Sequence, residues 1–233
     1  TKITVRKNNT NTTTYLAFVR SVIIKINSLK SNTTNSKQIR VLNYLNHELN
    51  NIINQIEDIK RDIWMQMIYE MSAVEKVKLI NHIFYGAYGF SGNTTNHQDS
   101  QNSYLSQVLE SKKGYQILLA VIYSIIAQKL DIPVYGVNLP QHFILAYVDE
   151  NPTEDFHVSQ NVFENSILFY INAFNKGFIF GRKDVDAFLK QLNLKPLNHF
   201  YEPCSNTEII QRVLRNLISA YEKLSAVEKV AEL

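Results

Sequence analysis

The sequence predicts an α+β fold in which helical segments flank a small, mainly antiparallel sheet. Three observations carry this expectation. Apolar residues recur at helical spacing in the first third of the chain and again over Asn206–Leu224. The short apolar runs Val134–Asn138, Phe143–Val148 and Ile167–Ile171 read as strands, with Phe178–Phe180 as a short fourth. Between these regions, the apolar stretch Tyr115–Leu130 is long enough for a buried helix and is stopped by Asp131-Ile132-Pro133.

Taken in order, Lys7–Thr14 is polar and reads as a loop or frayed start. Tyr15–Leu29 has Leu16, Val19, Val22, Ile23 and Ile26 at helical spacing, and Ser31–Lys37 is a turn. Ile39–Ile59 repeats the pattern through Leu42, Leu45, Leu49, Ile52, Ile53 and Ile56. Arg61–Tyr69 continues that helix or starts another, with Trp64, Met67 and Ile68 expected in the core. Ser72-Ala73-Val74-Glu75 is a capping box: the serine accepts the Glu75 amide bond while the glutamate returns to the serine's own amide. Gly86, Gly89 and Gly92 should end the helix that follows, and Ser91–Asn102 should be a polar surface loop. A short helix fits Ser103–Leu109, and Asn151–Val162 is a loop. Asn175-Lys176-Gly177 is a turn, and Asp184–Leu192 is an amphipathic helix. In the helix Asn206–Leu224, Ile209, Ile210, Val213, Leu214, Leu217 and Ile218 point inward. Ser225–Glu228 repeats the capping pattern.

Composition bounds the function. At 233 residues, 45% apolar and 19% charged, the chain has the makeup of a globular protein with a substantial core. A net charge of +3, with Lys and Arg scattered, gives no footprint for nucleic acid. The longest apolar stretch, Ile117–Ala127, is about half of the roughly 20 residues that span a bilayer, so no membrane partner is expected. One cysteine, Cys204, excludes an internal disulfide framework and fits a reducing, cytoplasmic setting. His82, His97 and Asp99 lack the paired spacing of a zinc site, and no phosphate-binding glycine loop is present, so neither metal nor cofactor is expected.

The middle of the chain, NSYLSQVLESKKGYQILLAVIYSIIAQKLDIPVYGVNLPQHFILAYVDE (Asn102–Glu150), resembles the core of the SirB-type branch of the transglutaminase-like superfamily. Ile83–Asn93 and FYINAFNKG (Phe169–Gly177) fit the same branch, and Asn206–Leu224 resembles the tetratricopeptide-like tail that often follows its core. The resemblance covers about residues 61–230. It implies a transglutaminase/papain-like core at residues 71–200, a helical N-terminal extension at 1–70 and a helical tail at 201–233.

In the wider superfamily a Gly-x-Cys at a helix start supplies a thiolate, a histidine on the neighbouring strand moves the proton, and a third group orients the imidazole. A helix N-terminus suits the thiolate because free amides and the dipole lower its pKa. Here the helix start reads Gly114-Tyr115-Gln116, so Gln116 stands near the missing cysteine. The branch's usual Gly-Asn-Pro-Ile-Ser-Leu is Gly114-Tyr115-Gln116-Ile117-Leu118-Leu119. His142 falls at the histidine position, and Asn172-Ala173-Phe174 stands where the branch often has Asp-Pro-Phe. Asn172 alone would not disable such a site, since Cys-His-Asn arrangements work.

The resemblance thus implies triad positions at His142 and Asn172, and the absent thiol makes them vestigial, so a non-catalytic binding or scaffold module is expected. Its partner would be a protein bound through the C-terminal helices or a residual cleft. A hydrolase or acyltransferase using His142 with a relocated nucleophile, Cys204 or a serine, is the alternative. Ser124 lies too far down the helix for that role, and Ser111 is expected to cap it. His142 itself is either a core-edge histidine bonded to Asn172 or a backbone carbonyl, or a ligand-contacting side chain in the cleft.

Overall fold

The computed structural model describes residues 24–94, 104–149, 166–225 and 228. Lys7–Thr14, Tyr15–Ile23, residues 95–103, Asn151–Val162 and Ala226 and Val227 of the repeated capping pattern lie outside them, as do His97 and Asp99. The chain divides into two compact units, Thr1–Asn54 and Gln55–Leu233.

In the first unit residues 24–31 are helical, and helix α1 (Ser36–Trp64) begins there. The Asn35 side chain accepts the amides of Lys37 and Gln38 at 3.0 and 3.3 Å, which secures the first turn. Leu45 is exposed rather than inward.

The second unit starts on the last turns of α1, whose buried stripe is Ile56, Ile59 and Ile63. That stripe corrects the expected core at Trp64 and Ile68. Trp64, one residue past Ile63, is rotated about 100° off the buried face and stays exposed, and the chain leaves the helix before Ile68, also exposed. Met67 is partly buried.

Helix α2 (Ala73–Asn81) carries the expected capping box: Ser72 Oγ accepts from Glu75 N at 3.3 Å and Ser72 N donates to Glu75 Oε2 at 2.8 Å. It runs directly into a π-helical turn, His82–Ala87. Gly86 sits within that turn instead of ending it, and Gly89, at φ 73°, makes the exit. Phe84 stacks on Phe90 with ring centroids 4.1 Å apart, which anchors the turn in the core. Ser91 and Gly92, expected in a loop, form strand β1, paired in parallel with β2 (Lys113–Gly114). Helix α3 (Leu105–Ser111) precedes β2.

Helix α4 (Gln116–Gln128) is apolar on nearly every face. Its surroundings explain why. It packs on α3, on α6 (Asn206–Lys223) and on strands β3 (Val134–Val137) and β4 (Ile144–Val148). The four-stranded antiparallel sheet runs β3-β4-β5-β6, with β5 at Ile167–Asn172 and β6 at Phe178–Phe180. Every residue of β4 is buried because the sheet is covered on both faces. Ile144 and Ala146 join Val185 and Leu189 of α5 (Arg182–Gln191) in one cluster, and the alternate residues face the side where α4 lies. Helix α6 opens on a second capping box, Ser205 with Glu208, and buries Leu217 and Ala220. Ile210, expected inward, is 53% exposed, because the packed stripe runs through Ile209 and Val213 instead. The architecture is the α+β layout expected from the sequence. No described helix is long and apolar enough to cross a membrane.

Candidate functional site

The site residues gather at one end of the sheet. Tyr115, in extended backbone at φ −70° and ψ 160°, turns the chain from β2 into α4, so Gln116 is the first helical residue. Gly114 admits no side chain: a Cβ there would lie 2.7 Å from Val108 of α3, and this close approach fixes where α4 begins. Ser111 ends α3 and does not cap α4. Its hydroxyl donates to Gln107 O at 2.7 Å, and the cap position belongs to Tyr115, whose side chain makes no cap bond.

The β3–β4 connection crosses in front of this helix end. Gln141 takes the left-handed conformation, φ 60°, and His142 N donates to Leu139 O at 3.2 Å. Gln116 Oε1 accepts the backbone N–H of Phe143 at 3.3 Å. Gln116 and the His142 segment are therefore neighbours, joined through the residue after the histidine. The imidazole itself turns away. It packs edge-on against Phe188 of α5, with centroids 4.7 Å apart and planes at 76°. Burial, with a smaller contribution from the Arg212 charge, lowers its pKa below the ordinary 6.5.

Asn172 ends β5 close to the start of β4. Its Oδ1 accepts the amides of Phe174 and Asn175, both at 3.1 Å, so it organises the β5–β6 turn. Among the described residues no hydrogen bond joins it to His142. Cys204 sits just before α6, its N–H donating to Gly136 O at 2.8 Å. Burial first, and then the Glu208 carboxylate, pushes its thiol up to about 12. No hydrogen bond links its sulfur to the His142 ring among the described residues. Ser124 is buried, and its hydroxyl donates to Val121 O at 3.0 Å within its own helix.

A cavity of about 290 Å³ opens beside Gln116. Its walls are Tyr115, Gln116, Gln141, Phe143 and Phe174 on one side and α6 on the other. Neither His142, Asn172 nor Cys204 lines it. Helix α6 contributes Arg212, Asn216, Ser219 and Lys223. Arg212 is partly buried, and its Nη1 donates to Asn138 Oδ1 at 2.8 Å and Leu139 O at 3.2 Å. Sequence reasoning missed this arginine. The available signal was its phase: Arg212 lies three residues after Ile209, on a helix face otherwise turned inward. Among the described residues no three His, Cys, Asp or Glu side chains cluster to hold a metal.

The transglutaminase-like superfamily model matches residues 50–215. A UPF0162 protein of Xylella fastidiosa is 29% identical over 70% of this chain and 57% of its own length. F-box only protein 21 of Mus musculus is 30% identical over 66% of this chain and 23% of its own length. A UPF0162 protein of Pasteurella multocida is 34% identical over 36% of this chain and 34% of its own. The chain thus spans about half the length, or less, of these curated relatives. No solved structure matches it. With the family model covering most of the sequence, from the middle of α1 into α6, the chain belongs to the transglutaminase-like superfamily.

Proposed function

We propose that this chain is a non-catalytic member of the SirB-type branch, a cytosolic binding or scaffold module that uses the cleft beside Gln116 and its C-terminal helix. The observation that carries this reading is the Gln116–Phe143 hydrogen bond. At the helix start, where a catalytic relative would place its thiolate, a side-chain amide ties α4 to the strand that follows His142. An amide is no nucleophile at neutral pH, and this one is already engaged. The vestigial triad partners are committed elsewhere as well, His142 to Phe188 and Asn172 to its own turn. The frame is kept and serves as a wall.

The relocated-nucleophile alternative gains no support from Cys204, whose thiol is held protonated by burial. An assay of amine incorporation and peptide hydrolysis tests the proposal. Turnover at background in the wild-type chain is the expected result. Robust turnover that disappears in both His142→Ala and Cys204→Ser would instead establish the hydrolase or acyltransferase.

A further inference from the structure

Arg212 is a half-buried guanidinium with no acidic partner. Among the described residues no carboxylate pairs with it, and only Nη1 is engaged, by two neutral oxygens. Those two acceptors fix the plane of the group while leaving Nε and Nη2 without protein acceptors among the described residues. A buried cation in this condition forfeits hydration without full compensation. The depression of its pKa by burial and by Arg215 agrees with this.

The rest of the cavity has the same character. Arg212, Asn216, Ser219 and Lys223 fall on one stripe of α6, so the floor carries a cation at each end and neutral polar groups between. No Asp or Glu lines the cavity among the described residues. Opposite lie the aromatic residues Tyr115, Phe143 and Phe174. The volume, about 290 Å³, is at the small end for ligand pockets.

We propose that this cavity binds a small organic oxyanion, a carboxylate or phosphate on a compact apolar stem, with Arg212 as its anchor. The free edge of the guanidinium matches the two oxygens of such a group. The aromatic wall takes the stem. Lys223, about three turns further along α6, adds attraction through solvent and counts for less. This assignment rests on reading the cleft as a binding pocket and names the class of ligand that the pocket would take.

Calorimetric titration at low salt tests it with phenyl phosphate, benzoate and neutral benzyl alcohol. Saturable one-to-one binding below about 1 mM is expected for phenyl phosphate or benzoate, and none for the alcohol. The tighter of the two anions decides between phosphate and carboxylate. Arg212→Gln should weaken binding at least about tenfold. Asn216→Asp is nearly isosteric and places a carboxylate four residues from Arg212, where it competes for the guanidinium, so it should weaken binding comparably in a folded chain. Lys190→Gln, on the exposed side of α5 and outside the cavity, should leave binding unchanged. Absence of saturation by either anion at about 10 mM, or equal affinity in the wild type and Asn216→Asp, overturns the assignment. Turnover in the amine-incorporation assay would overturn the non-catalytic reading alone. Missing binding without turnover would overturn the ligand assignment alone.

Discussion

The side-chain amide of Asn81, at the end of α2, donates to the carbonyl oxygen of Gly177 in the β5–β6 turn at 2.9 Å. The same amide's Oδ1 accepts the hydroxyl of Tyr123, a fully buried residue of α4, at 2.9 Å. One asparagine therefore joins α2, the core helix and the turn that Asn172 organises. Gly177 is indispensable to the arrangement: its φ is 69°, and a Cβ there would lie 2.0 Å from Asn81 Oδ1.

Gly177→Ala should accordingly destabilise the fold by about 3 kcal/mol or more. Left-handed strain contributes about 1–2 kcal/mol, and displacing Asn81 breaks two hydrogen bonds and leaves the buried Tyr123 hydroxyl only its long bond to Val77 O at 3.5 Å. Gly89→Ala is the control. It shares the left-handed backbone, at φ 73°, but nothing lies within 4 Å of its Cβ, so only the strain of about 1–2 kcal/mol is expected. Urea denaturation of the two variants would separate clash from strain. Equal losses would show that the Asn81 contact contributes nothing.

Thiol labelling provides a second prediction. With its thiol near 12, Cys204 should react with iodoacetamide very slowly at pH 7.5 in the native chain and rapidly once unfolded. Gln116→Cys places a thiol in the first turn of α4, in a cavity that Arg212 also lines. Both features lower a thiol pKa, so this variant should label at least about tenfold faster than the wild type. Mass spectrometry of native samples quenched over time would show it. Matching rates would mean that the helix end is not open to solvent.

The sequence made the ends of elements easy to read wherever a local chemical signal marked them. Ser72 and Glu75 announce α2, and Pro133 closes α4. Asn175–Gly177 marks a turn, with Lys176 and Gly177 both at positive φ. Each signal acts within a few residues. What escaped depends on phase or on distance. Trp64 is expected in the core, but helix phase gives the buried face to Ile63, one residue earlier. The π-turn runs through Gly86 despite glycine's low helix propensity, and Phe84 within it stacks on Phe90 beyond its exit. At the site, the expectation that Gln116, His142 and Asn172 lie near one another followed from the family resemblance. The direction of the imidazole did not, since it is set by Phe188, 46 residues downstream of His142. Arg212 meets Asn138 across a separation of 74 residues, and no local pattern encodes that meeting.

The capping box of α6 is written in Ser205-Asn206-Thr207-Glu208, and it is simple to test. Ser205 Oγ accepts from Glu208 N at 3.3 Å, and Ser205 N donates to Glu208 Oε2 at 2.7 Å. Ser205→Ala should cost about 1 kcal/mol, a fall in Tm of about 2–4 °C for a chain of this size. Scanning calorimetry would detect it. No change would mean that α6 starts elsewhere in solution.

His142 makes stability depend on pH in a definite direction. Burial and Arg212 lower its folded-state pKa below 6.5, so between that depressed value and 6.5 the unfolded chain binds more protons than the folded one. Stability contributed by the neutral imidazole is thus fully present above about pH 6.5 and is lost as pH falls through the window beneath it. Glu75 and Glu208 are also held low, each by hydrogen bonds from its capping serine, but their contributions fade only near and below 4.5. The two windows open at different upper edges, about 6.5 for the imidazole and about 4.5 for the carboxylates. In the wild type Tm should begin to fall as pH drops below about 6.5, and His142→Gln, which cannot protonate, should flatten that onset while keeping the carboxylate losses that set in near pH 4.5. Thermal melts of both proteins across this range are the check. An equal slope in the variant would show that the imidazole is as well hydrated in the folded chain as in the unfolded one, and its packing against Phe188 would then have no energetic consequence for protonation.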